Sequence, residues 1–113
     1  MELKNDTWYI GHEPVTSLAA TYGTPLYVYD GDKIAAQYKR LSHAFSSINF
    51  KVKYAIKANA NINILKLLKD EGCGIDTVSI QEVKLGLHVG FSPDEILYTP
   101  NCVSFDEIKE AVS

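Results

Sequence analysis

The chain has 113 residues, 46% of them hydrophobic, and its eleven basic and fourteen acidic side chains leave a net charge of −3. That composition belongs to a globular domain, excludes a disordered or collagen-like chain, and at this length sets a ceiling of one domain. The basic residues are scattered among the acids with no basic stripe or aromatic platform, which argues against a nucleic-acid partner.

No apolar run reaches the roughly 18 residues of a membrane span. The opening MELKNDTWYI lacks the basic-then-apolar order of a secretion signal, so no membrane partner and a cytoplasmic location are expected. Cys73 and Cys102 are too few and too far apart for a zinc site and read as small core residues of a reducing compartment. His12, His43 and His88 show no ligand spacing and read as surface or helix residues, so no metal is expected.

Residues 1–30 form an N-terminal segment that ends in a lead-in strand, PLYVYD over 25–30, stopping at Asp30-Gly31. A helix follows, with Ile34, Tyr38, Leu41 and Phe45 at helical spacing and Lys33, Gln37, Lys39 and Arg40 on its other faces. KVKYAIK over 51–57 alternates as a strand, so Lys53, Ala55 and Lys57 share one face while Val52, Tyr54 and Ile56 share the other. Cap-rich residues 59–63 then open a helix with Ile64, Leu65, Leu67 and Leu68 as its apolar stripe, closed by Gly72.

GIDTVS over 74–79 reads as the next strand. Ser79 and Glu82 fit a capping box that starts a helix through Val83, Leu87 and Val89, closed by Gly90. Ser92-Pro93-Asp94-Glu95 predicts a single capped turn before a third strand, ILYTP over 96–100, and Ser104 to Glu107 opens a further helix. Three strands ending near Lys57, Ser79 and Thr99 are thus roughly twenty residues apart with one helix in each gap, the spacing of βαβ crossovers in a parallel sheet. An open doubly wound sheet and the opening units of a (β/α)8 barrel both fit. A whole barrel takes about 250 residues, so a barrel reading makes this chain a piece of one.

In both architectures ligands bind at the carboxyl ends of the strands, where Lys57 stands. Ala55 on the same face leaves room for a ligand. A lysine held among apolar neighbours has its ammonium form disfavoured, which makes a nucleophilic amine available for Schiff-base chemistry. The competing reading is a strand-terminal lysine that snorkels to water. Periodicity alone leaves both open.

The stretch YAIKANANINILKLLKDEGCGIDTVSIQEVKLGLHVGFSPDEILYTPN resembles the start of the fold-III pyridoxal-phosphate-dependent decarboxylases, in which an aromatic-A-x-K-A-N strand and a helix precede D-x-x-S-x-x-E. The preceding PVTSLAATYGTPLYVYD looks most like the branch of that family that acts on diaminopimelate. The resemblance covers nearly all residues from Gly11 onward. An alanine racemase is a poorer fit, because its KAN continues into a tyrosine-glycine-histidine run where this chain has ANINIL.

The resemblance implies an α/β fold, the N-terminal portion of an alanine-racemase-like (β/α)8 TIM barrel left incomplete, with residues 31–113 as the first βα units of the barrel that binds pyridoxal 5′-phosphate. It implies that Lys57 is the catalytic residue that carries the cofactor as a Schiff base and that Asp76 lies in the cofactor site. Glu82 is weighed between cap and site, with the cap favoured, and Ser79 is favoured as an N-cap over a cofactor ligand. Asn59 reads as a turn or cap residue and the Tyr54 ring as packing against the helical layer.

The implied reaction is decarboxylation of meso-diaminopimelate to lysine, with a small amino acid as the substrate. Arginine, ornithine or carboxynorspermidine decarboxylation, or a non-catalytic homologue, are the alternatives. The family's glycine-rich phosphate loops, pyridine-nitrogen acid, substrate-binding arginine and second, β-rich domain lie further along a longer chain. By this resemblance the present chain is an N-terminal fragment, inactive alone, whose unpaired sheet edges favour a homo-oligomer, a homodimer in the simplest case.

Overall fold

A computed structural model describes residues 1–113. The first elements are three short antiparallel strands, β1 (Glu2–Lys4), β2 (Thr7–Ile10) and β3 (Glu13–Pro14), in the order β1-β2-β3, followed by α1 (Val15–Tyr22). Asn5 and Asp6, with φ of 49° and 60°, turn the first hairpin, a conformation that Asn and Asp tolerate better than most side chains.

The strand predicted over 25–30 does not form. Thr24 and Pro25 form a bend, residues 26–30 pair with no strand, and Tyr27 is 89% exposed. The propensity is local, whereas a strand also needs a ladder partner, and this segment pairs with no strand of either sheet.

α2 (Gly31–Ala44) starts where Asp30 accepts a hydrogen bond from the Lys33 amide at 3.1 Å. Three βα units then follow: β4 (Lys53–Ala55), α3 (Ile62–Asp70), β5 (Gly74–Thr77), α4 (Ile80–Val89), β6 (Ile96–Tyr98) and α5 (Phe105–Val112). The strands pair in parallel in the order β4-β5-β6, with Ala55 opposite Asp76 and Asp76 opposite Leu97. Gly72 and Gly90 adopt left-handed φ of 88° and 103° just past α3 and α4, where a Cβ would be strained. Ser92 and Glu95 form the predicted capping box of the turn before β6.

The two faces of the parallel sheet differ. Ile56, Leu65, Ile75, Val89 and Phe91 form a buried cluster on the helical side, with Tyr54, Leu85 and Ile96 packed against it. Gly86 admits the Ile75 side chain, because a Cβ at that position would overlap the Ile75 δ-methyl. Alternation sends Ala55, Asp76 and Leu97 to the opposite face, where Leu97 is 47% exposed. The chain therefore builds only one covered side. Its radius of gyration is 17.5 Å, against about 13 Å for a compact chain of this length.

Cys73 is buried, as expected of a core residue, but Cys102 is exposed in the loop after β6, with φ of 56°, which corrects its core reading. His12, His43 and His88 are all exposed. No helix is long and apolar enough to cross a membrane.

Burial pushes the Cys73 thiol and the Tyr54 phenol up, Tyr54 further through Tyr29, and desolvation followed by the Glu107 carboxylate pushes Tyr98 up. Each neutral form is favoured by folding, so the native state binds more protons than the unfolded chain once pH passes the ordinary values of 9.0 for the thiol and 10.0 for the phenols. Stability is expected to be level below pH 9 on account of these groups and to fall as pH rises beyond it. Urea midpoints measured between pH 8 and 11 check this, and a midpoint that rose over that interval would contradict it.

Candidate active site

Lys57 lies at the carboxyl end of β4, as predicted, but not on the strand. β4 stops at Ala55, and Ile56–Ala58 forms a 3-10 turn, closed by the Asn59 amide donating to the Ile56 carbonyl at 3.0 Å. Ile56 is fully buried on the helical side, and Lys57, the next residue, is exposed. The apolar enclosure invoked from the sequence is therefore not supplied by these residues. The turn ends the alternation before it reaches the lysine, and the Lys57 side chain makes no hydrogen bond or ion pair.

Asp76 sits one strand over on the open face, opposite Ala55. It is not ion-paired with Lys57. Its Oδ1 instead accepts a hydrogen bond from the Thr99 hydroxyl at 2.6 Å, the short distance of a charge-assisted bond. The Thr99 amide extends the β6 ladder by donating to the Thr77 carbonyl at 2.8 Å. Thr99 is a member of the site that the sequence reading missed. Its signal was present, since alternation through Leu97 places Thr99 on the face of Asp76.

The start of α4 is occupied by protein groups. Ser79 accepts from the Glu82 amide at 3.3 Å, and Glu82 Oε2 accepts from the Val78 amide at 2.7 Å, so both are cap residues, as favoured from the sequence. The Ile80 amide donates to Glu107 Oε1 at 3.1 Å, which also accepts from the Tyr98 hydroxyl at 3.0 Å. Two carboxylates and a hydroxyl thus already engage the Val78, Ile80 and Glu82 amides at this helix end. Glu107→Ala is expected to cost about 1–3 kcal/mol, because it strips a partly buried amide and phenol of their acceptor at once. Equilibrium urea unfolding reads this, and a loss below about 0.5 kcal/mol would show that water replaces the carboxylate freely.

Asn59 is a turn residue, its Oδ1 accepting from the Asn61 amide at 3.0 Å. Asn61 in turn caps α3 by accepting from the Asn63 amide at 2.9 Å. Tyr54 faces the helical layer, as predicted. No cavity of the chain is lined by Lys57 or Asp76, so the amine and the carboxylate stand on an open surface. The chain thus presents a primary amine at the mouth of a parallel sheet, with a small residue on its own strand and an oriented acid on the adjoining one. This donor set fits an aldehyde cofactor at Lys57, with Asp76 beside it.

A sequence profile described as the pyridoxal-binding domain of pyridoxal-dependent decarboxylases matches residues 31–113. The chain belongs to this decarboxylase family. Among its family relatives, the diaminopimelate decarboxylase of Methanothermobacter thermautotrophicus is 48% identical over 105 residues, covering 91% of this chain and 24% of the relative. The L-glutamyl-[BtrI acyl-carrier protein] decarboxylase of Niallia circulans is 36% identical over 99 residues, covering 87% of this chain and 23% of that protein. The crystal structure of diaminopimelate decarboxylase from Methanocaldococcus jannaschii in complex with L-lysine superposes with a TM-score of 0.92 at 34% identity, over 98% of this chain and 27% of that one. The chain spans about a quarter of the length of the curated decarboxylases it matches.

Proposed function

We propose that this chain is the cofactor-anchoring portion of a pyridoxal 5′-phosphate-dependent carboxy-lyase that converts meso-diaminopimelate to L-lysine and carbon dioxide, a step of lysine biosynthesis. The observation that carries the reading is Lys57 at the carboxyl end of the first parallel strand, inside the segment matched by the pyridoxal-binding profile. The 48% identity to a diaminopimelate decarboxylase supports the substrate. Another amino-acid decarboxylase is the second reading, favoured by the Niallia relative, whose substrate is a carrier-protein-bound glutamyl group.

In this reading residues 31–113 contribute the first βα units of a (β/α)8 barrel, with residues 1–30 outside it. The unpaired segment 24–30 and the profile's start at residue 31 support the division. The open sheet face becomes the interior of the barrel. By itself it is an uncovered surface with two free strand edges, so the chain is proposed to self-associate. The location that suits the free thiols is the cytoplasm.

When bound, pyridoxal phosphate supplies a conjugated ring that accepts the electrons freed when the carboxylate leaves. Lys57 holds it through Nζ, and the small Ala55 side chain keeps the adjoining surface clear. Asp76, fixed by Thr99, places a negative charge on the neighbouring strand at the same end of the sheet. The chain holds the reactive end of the cofactor and leaves the phosphate to other residues, since the Ile80 and Glu82 amides at the start of α4 are already bound.

Incubation of the chain with pyridoxal 5′-phosphate, reduction with borohydride and peptide mapping tests the reading. The label is expected on Lys57. A label spread evenly over the surface lysines would refute it.

A further inference from the structure

We propose that Tyr54 is the positioning residue for Lys57, its hydroxyl clasping the turn that carries the amine. The inference rests on Lys57 as the cofactor's lysine and assigns to Tyr54 a role beyond packing. Tyr54 lies on β4, three residues before Lys57, with its ring against the buried cluster of Ile56, Leu65 and Ile75. Its hydroxyl donates to the Asn59 carbonyl at 3.2 Å. The bond spans the turn from the strand before Lys57 to the residue two beyond it.

Without that bond the turn would be weakly held. A three-residue 3-10 turn is held by few internal hydrogen bonds, of poorer geometry than those of an α-helix, the last here from the Asn59 amide to the Ile56 carbonyl at 3.0 Å. Asn59 is engaged at three groups, its N–H by Ile56, its C=O by Tyr54 and its Oδ1 by the Asn61 amide. Of these ties only the phenol reaches back to the sheet from a side chain seated on the core. Lys57 stands between two fixed points, the buried Ile56 and the triply bound Asn59, and keeps only its own side-chain torsions. That arrangement suits an amine that must meet one carbon of a bound ring, since a pre-set backbone removes part of the ordering cost. Burial favours the protonated phenol, so the donor persists at neutral pH.

Tyr54→Phe in the 113-residue chain separates the hydroxyl from the ring. Amide hydrogen exchange is read at Asn59, with Gly74, whose amide donates to the Val52 carbonyl at 3.0 Å, as the reference within the sheet. In parallel, pyridoxal 5′-phosphate and borohydride label the lysines, and the share at Lys57 is compared with those at Lys53 and Lys66 by peptide mass. Tyr54→Phe is expected to speed exchange at Asn59 by about three- to tenfold relative to Gly74, the effect of one hydrogen bond, and to lower the Lys57 share of label. Equal exchange and equal label in both proteins overturns the clasp. A wild-type chain that labels Lys57 no more than Lys53 and Lys66 refutes the cofactor reading instead, and the exchange ratio still decides the clasp. If Tyr54→Phe does not fold, the wild-type exchange decides: Asn59 protection comparable to Gly74 supports the clasp, and exchange at the rate of an open turn overturns it.

Discussion

Lys57→Ala is expected to lower decarboxylation by a factor on the order of 10⁴ in a chimaera that places this segment on the remainder of the Methanothermobacter relative. The same substitution should move the unfolding free energy of the isolated chain by less than about 0.5 kcal/mol. The two expectations share one cause: Lys57 is exposed and its side chain bonds to nothing in the chain, so it contributes chemistry and almost no stability. Lys57→Arg should rescue neither turnover nor covalent labelling, because a guanidinium keeps the positive charge but does not deprotonate to a nucleophilic amine. Single-turnover assays with diaminopimelate, ornithine and arginine would read both the loss and the substrate. Activity within tenfold of the parent chimaera would remove Lys57 from the mechanism.

Ile75→Ala carries the largest expected stability effect, a loss of about 3–4 kcal/mol. Ile75 is fully buried at the centre of the three parallel strands, and its side chain fills the recess that Gly86 leaves in α4. Deleting three carbons there leaves a void between sheet and helix that neither element can close without breaking its own hydrogen bonds. Leu97→Ala, one strand away on the opposite face, should cost under about 0.5 kcal/mol at chain concentrations low enough to keep the monomer, in which that face is uncovered. Paired urea titrations of the two variants read the asymmetry of the sheet directly. Equal losses would mean that the Leu97 face is covered, as self-association through it would produce.

Helix ends were legible in the sequence and the middle of the site was not. The caps at Ser79, Ser92 and Ser104 and the left-handed glycines at 72 and 90 stand where the sequence predicts them. A cap is a bargain among residues four or fewer apart, so its signal is complete within a short window. The first three strands are not legible in the sequence although Asn5-Asp6 is a hairpin signal, because strands of two to four residues present too few alternations to read.

The sequence by itself determined the order of the βα units, the faces of their strands and the placement of a lysine at a strand's carboxyl end, because each follows from periodicity and caps within a few residues. Only the tertiary structure decided that β4 ends two residues before Lys57, that residues 24–30 find no partner, that Thr99 holds Asp76 and that Glu107 binds the start of α4. The last two join residues 23 and 27 positions apart. Such pairs form only after parallel pairing has brought separate units side by side, and no short stretch of the chain records which strand end meets which helix start.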